Sequence, residues 1–146
     1  MNQYCTHAKT VEQICYERNA RLTPIRKALI TLILENKQPL SAYDLLKRLR
    51  DTSHPSAEAM TVYRGLAFLQ EHGLVHRLPS SQAYIACCDP TEPHYGQFLL
   101  CQRCGWIKEI EASNVIDALQ TTANLHQFSI APQTIEILGL CAGCSS

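Results

Sequence analysis

Two cysteine pairs, Cys101-Gln-Arg-Cys104 and Cys141-Ala-Gly-Cys144, constrain this chain more than any other feature. Two residues between cysteines let both thiolates of a pair reach one metal ion, and two such pairs complete a tetrahedron around zinc. The 36 residues between the pairs must therefore leave the ion and return to it. A strand, a helix and a second strand fit in that length. One structural zinc would then tie together the sequence ends of a small domain. Gly105 directly follows the first pair, and glycine permits the tight backbone that points N–H groups at sulfur. Arg103 and Lys108 can offset part of the anionic charge. The competing reading is a redox dithiol of the thioredoxin kind, which sits in a βαβ setting and opens a helix. Here Cys104-Gly105-Trp106-Ile107 runs toward a strand, which favours metal.

The chain carries eight cysteines in 146 residues. Its N-terminus, MNQYCTHAKT, has no apolar core of a secretory signal. A reducing, cytoplasmic compartment is the expectation, where clustered cysteines bind metal more often than they form disulfides. Hydrophobic residues are 46% and charged residues 18%, against roughly 25% charged in an average domain, which excludes a disordered chain. No run approaches the roughly 18 apolar residues that span a bilayer. The sequence shows no P-loop, no dinucleotide-binding glycine pattern and no nucleophile with an evident base, so an enzyme is not expected.

The net charge of zero hides an asymmetry. Residues 1–80 hold eleven Lys/Arg against seven Asp/Glu, a balance of +4. Residues 81–146 hold two against six, a balance of −4. The basic half suits a polyanion and the acidic half suits cations, although a solvated face reaches +4 as well.

The first half reads as helices. Ala8, Val11, Ile14 and Cys15 form an apolar stripe, which makes Cys15 a core residue. Thr23-Pro24 opens a second helix, with Thr23 as N-cap and Pro24 in the first turn. Ile25, Leu29, Leu32 and Ile33 share its face. Ser41 caps a third helix with Asp44 approximating a reciprocal cap, and Ala42, Leu45, Leu46 and Leu49 point inward. A fourth helix spans residues 57–72, with Val62, Leu66 and Leu69 inside and Gly73 ending it. Residues 74–78 and 83–87 read as two short strands joined by a turn. Helices followed by a hairpin make a winged helix-turn-helix. Its recognition helix would be the fourth, presenting Thr61, Tyr63, Arg64 and Gln70. These residue types suit phosphates and base edges, and equally a solvated helix face.

The second half changes character. Residues 98–100 and 107–110 read as strands around the first cysteine pair. Residues 113–125 read as a helix with Val115, Ile116 and Leu119 inward, and residues 134–140 as a last strand. The fold class is α+β. Residues 1–86 form the winged-helix domain, 87–95 the hinge, and 96–146 the zinc-stapled α/β domain. His76, Cys87, Cys88, His94 and Glu109 remain, and no spacing rule links them. Taken singly, each has a bland surface reading.

The stretch from Arg21 to Cys144 resembles the ferric uptake regulator family of bacterial metal-responsive repressors. The resemblance lies in Arg21-Leu-Thr-Pro-Ile-Arg26, Ser41-Ala-Tyr-Asp-Leu-Leu46, Thr61-Val-Tyr-Arg64, Gly73-Leu-Val-His76 and both cysteine pairs. It implies an N-terminal DNA-binding winged helix and a C-terminal dimerisation domain. By matching positions, it implies sensor ligands His76, Cys87, His94 and Glu109, a structural zinc on Cys101, Cys104, Cys141 and Cys144, and DNA contacts from Thr61, Tyr63 and Arg64. Two zinc ions per chain follow, as do a homodimer and a palindromic operator. Cys88 competes with Cys87 as ligand, and the strand end favours Cys87. Thiolate, two imidazoles and a carboxylate suit zinc better than iron(II) or manganese(II). The implied function is a zinc-dependent repressor of zinc-uptake genes. The alternative is a relative sensing another metal or thiol oxidation. The chain departs from the family pattern in having one histidine in Pro93-His94-Tyr95-Gly96-Gln97-Phe98 and none in Ala131-Pro132-Gln133, so a third metal site is not expected.

Overall fold

The computed structural model describes residues 10–91, 94, 96–131 and 134–146. Ala8 of the first stripe, Glu92, Pro93 and Tyr95 of the hinge, and Pro132 and Gln133 lie outside these. The chain divides into two compact units, one ending at His94 and the other beginning at Tyr95. Among the described residues, no helix is long and apolar enough to cross a membrane.

The first unit runs α1 (Val11–Glu17), α2 (Pro24–Glu35), α3 (Ala42–Thr52), α4 (Ala59–Glu71), β1 (Val75–Arg77) and β2 (Tyr84–Ala86). Helix α1 starts on a reciprocal cap that the sequence reading overlooked. Thr10 Oγ1 accepts the Gln13 N–H at 3.2 Å, and Gln13 Oε1 accepts the Thr10 N–H at 2.8 Å. At α2, Thr23 takes the N-cap position but makes no side-chain cap. Pro24 lacks an N–H, so one fewer donor needs a partner there. At α3, Ser41 Oγ accepts the Asp44 N–H at 3.1 Å. The return contact differs from expectation: the Ser41 hydroxyl donates to the Asp44 carboxylate at 2.7 Å. Helix α4 starts at Ala59, two residues later than the periodicity suggests. Ala57 is buried in the connector, and its carbonyl accepts from Arg50 Nε at 2.8 Å.

The heptad-like stripes meet in one core. Leu29, Leu45, Leu49, Leu66 and Leu69 are wholly buried, with Ile33 and Val62 beside them. Each such side chain contributes about 1.5–3 kcal/mol relative to an exposed one. Gly65 lets α2 and α4 close up, since a Cβ there would stand 2.5 Å from Leu29 Cδ1.

Gly73 ends α4 with φ +68°, donating to the Gln70 carbonyl, while Leu74 donates to the Leu69 carbonyl. This is the Schellman arrangement, and it turns the chain directly into β1. No neighbour crowds a Cβ at Gly73, so only the left-handed backbone opposes a side chain. Gly73→Ala should cost about 1–2 kcal/mol, read as a lower urea midpoint at unchanged slope.

Strands β1 and β2 pair antiparallel, with His76 opposite Ile85. Leu40 and Tyr84 exchange both backbone hydrogen bonds, at 3.0 and 2.8 Å, which fastens the wing to the α2–α3 connector.

The second unit holds β3 (Gln97–Cys101), β4 (Ile107–Glu109), α5 (Ser113–Leu125) and β5 (Ile135–Gly139). The sheet order is β4-β3-β5, with β3–β4 antiparallel and β3–β5 parallel. Phe98 and Ile107 are buried. One expectation fails here. Val115 and Leu119 are 37% and 43% exposed, Ile116 is half-buried, and α5 buries no residue. The helical stripe is real, but among the described residues it stays open in the single chain.

Candidate metal centres and nucleic-acid face

Both cysteine pairs sit at the ends of parallel strands. Cys101 is the last residue of β3 and lies opposite Gly139, the last of β5, and Cys141 follows two residues later. Parallel strands run the same way, so the two pairs arrive at one edge of the sheet. The sulfurs of Cys101, Cys104, Cys141 and Cys144 all lie within 4.8 Å of one another. Cys104 and Cys141 sulfurs are 3.7 Å apart. A tetrahedron with metal–sulfur bonds of about 2.3 Å needs sulfurs about 3.8 Å apart, so the donor set fits zinc.

The backbone supports this. Gly105 has φ +73°, and its N–H donates to the Cys101 carbonyl at 3.0 Å. The second pair closes likewise, with Cys144 and Ser145 N–H groups both 2.9 Å from the Cys141 carbonyl. Backbone N–H groups of Cys104 and Cys141 aimed at its sulfur draw the Cys101 thiol down to about 6. The neighbouring Cys141 thiol, then burial, push Cys144 up to about 12. Four thiols this close cannot all ionise alone, and a divalent cation at their centre removes that conflict. Arg103 Nη1 donates to the Cys144 carbonyl at 2.7 Å, so it clamps the two pairs as well as offsetting charge.

The second donor group surrounds the wing. His76 lies on β1 and is buried at 8% exposure. Cys87 follows β2, is buried, and is held by its N–H to the Leu74 carbonyl at 3.0 Å. His94 is exposed. Cys87 Sγ lies 3.5 Å from His94 Nε2, and the His76 and His94 rings meet edge to face at 5.2 Å. The donor atoms of these three residues fall within 4.8 Å of one another. Cys88, the alternative donor, is half-buried and outside this group. Glu109 ends β4 of the second unit, opposite Phe98. Cys15 is buried on α1, and burial raises its thiol, which keeps it protonated and inert.

On α4, Tyr63 is 55% exposed, Arg64 is exposed and Thr61 is half-buried. Met60 beside them and Tyr43 on α3 are also exposed, two residues that the sequence reading left without a role. Arg26 stacks its guanidinium 3.8 Å over the Phe68 ring, which stiffens the α2–α4 contact. A large exposed aromatic or thioether on a helix bearing arginine is a signal that sequence periodicity alone does not carry.

A winged helix with imidazole and thiolate donors at its wing, in a chain that also carries a four-thiol cluster, defines a class of metal-binding regulators rather than enzymes. The chain belongs to the ferric uptake regulator family, whose sequence profile matches residues 17–138. It is 42% identical over 134 residues to the zinc uptake regulation protein of Escherichia coli (strain K12), covering 91% of this chain and 78% of that one. It is also similar to a solved zinc uptake regulator complexed with zinc and DNA, at TM-score 0.84 and 40% identity, covering 92% and 95% of the two chains. A holo XcZur crystal structure matches with the same TM-score and identity, covering 92% and 94%.

Proposed function

We propose that this chain is a zinc-responsive DNA-binding repressor of zinc-uptake genes, with zinc as corepressor. The convergence of His76, Cys87 and His94 at the wing carries the reading, because donors that no spacing rule links meet where a metal could govern the reading helix. The similarity to a zinc- and DNA-bound regulator supports it. Two ions per chain are proposed. A structural zinc occupies the four thiolates. A regulatory zinc takes His76, Cys87, His94 and, by family position, Glu109.

Residues 87–95 act as the hinge between the winged helix of residues 1–86 and the dimerisation unit of residues 96–146. An ion bonded to donors from both fixes their relation. In a homodimer, this sets two α4 helices about 34–36 Å apart, one DNA turn, to read a palindromic operator. Val115, Leu119, Leu125, Phe128 and Leu138, all exposed in the single chain, supply an apolar face for the homodimer. Thr61, Tyr63 and Arg64 contact the operator. The work is done in a bacterial cytoplasm.

A zinc-buffered titration with genomic DNA tests this. A few palindromic fragments should be retained as a second zinc per chain fills. Retention indifferent to zinc would overturn the reading, and retention driven by another metal or lost on mild peroxide would redirect it within the family. Arg64→Ala should weaken operator binding by roughly 1–3 kcal/mol while leaving both zinc ions in place. Unchanged affinity in an electrophoretic shift assay would remove Arg64 from the reading set.

A further inference from the structure

We infer that Arg18 is a positioning residue for zinc sensing, one that holds Pro90 and Thr91, between Cys87 and His94, against the end of α4. The inference rests on the reading of the wing cluster as the regulatory site.

Arg18 is the C-cap of α1, and its N–H donates to the Ile14 carbonyl at 3.1 Å. Val11, Ile14 and Cys15 bury α1 in the core, so the guanidinium extends from a fixed base. Nη1 donates to the carbonyl of His72, the C-cap of α4. Nη2 donates to the Pro90 carbonyl and reaches that of Thr91 at 3.4 Å. One planar cation thus joins three segments that are far apart in sequence. Its rigid fork suits two acceptors at once, which a lysine ammonium does less well.

The acceptors are well chosen. Carbonyls at the end of a helix lack intrahelical partners and carry the negative end of its dipole, so a cation is favoured there. Pro90 and Thr91 belong to the six residues between the two donors. That stretch has its own turn, with the Thr91 N–H donating to Asp89 Oδ1 at 3.2 Å.

The three donors hang from the same helix end by two routes. His76 follows α4 through the Gly73 turn, and Cys87 is bonded to Leu74. His94 is exposed, so burial does not place it. The carbonyls that Arg18 holds, those of Pro90 and Thr91, lie four and three residues before it, so Arg18 fixes the segment from which His94 reaches Cys87. Arg18 therefore preorganises the third donor, as partners behind metal ligands commonly do.

The test compares Arg18→Gln and Arg18→Lys with the wild-type chain. Zinc affinity of the regulatory site is measured by competition with a chromophoric chelator, with the four-thiol site filled. Arg18→Gln should lower that affinity roughly 10–100-fold. Free zinc for half-maximal operator binding should rise by the same factor, with affinity at saturating zinc near wild type. Before the regulatory site is filled, amide exchange at Asp89, Thr91 and His94 should quicken. Arg18→Lys should lie between, and it carries the test if the glutamine variant does not fold. Wild-type zinc affinity and exchange in a folded variant would overturn the inference. So would a lower melting temperature with unchanged zinc affinity, which marks a merely structural role. Wild-type protein that takes up the second zinc without any DNA response would sink the repressor reading instead, and the zinc titration of the variants would still decide the role of Arg18.

Discussion

Replacing Cys104 by serine is expected to remove one zinc per chain and to unfold the unit that begins at Tyr95. The reason lies in how little else holds that unit. Its described buried residues are few, chiefly Phe98, Ile107, Cys101 and Gln97, and α5 buries none. A sheet of three short strands with one buried phenylalanine is marginal by itself. Zinc binding to a four-thiolate site is worth about 10–16 kcal/mol in small metal-stapled domains, and that energy is folding energy. A serine hydroxyl stays protonated and is a poor zinc ligand, and the three thiols left would keep their mutual repulsion on ionising. Metal analysis should give one zinc fewer, thermal melting should lose its transition for this unit, and dimer mass should fall to monomer or aggregate. A variant with full zinc content and native melting would show that the cysteine pairs do not hold a structural ion.

Cys87→Ser should act on regulation and spare the fold. Cys87 sits after β2, fixed by its backbone to Leu74, and its sulfur faces His94 at 3.5 Å. Serine has nearly the same shape, so the wing should keep its ladder and the four-thiol site, on other elements, should keep its ion. The lost thiolate removes the one soft ligand from the proposed sensor. Coupling between a metal and DNA typically amounts to about 1–3 kcal/mol, or about 5–150-fold in affinity. That factor should collapse toward one in Cys87→Ser, while Cys88→Ser retains it. Operator binding measured with and without buffered zinc decides the matter. A Cys87→Ser chain that still gains affinity with zinc, alongside a Cys88→Ser chain that does not, would move the ligand by one residue.

The Arg18 contacts could not be read from the sequence beforehand. Their acceptors are backbone carbonyls, which every residue offers, so no side-chain pattern marks them. The wing cluster was legible only through family resemblance. His76, Cys87 and His94 obey no fixed spacing, because their convergence depends on the Gly73 turn and on the register of β1 against β2. The cysteine pairs were legible directly, because two ligands on one tight turn are a local property.

The exposure of α5 teaches the complementary lesson. Val115, Ile116 and Leu119 do form an apolar stripe, and periodicity correctly identifies it. Periodicity reports that a face needs burial and is silent on what buries it. The helices and their order, the hairpin, the α+β class and the four thiolates followed from local spacing and residue chemistry in the sequence itself. Which donors meet at the wing, which face of the second unit stays open, and how one arginine links three distant segments were decided by the tertiary structure. Those features depend on where the chain returns in space, and local propensity carries no record of that.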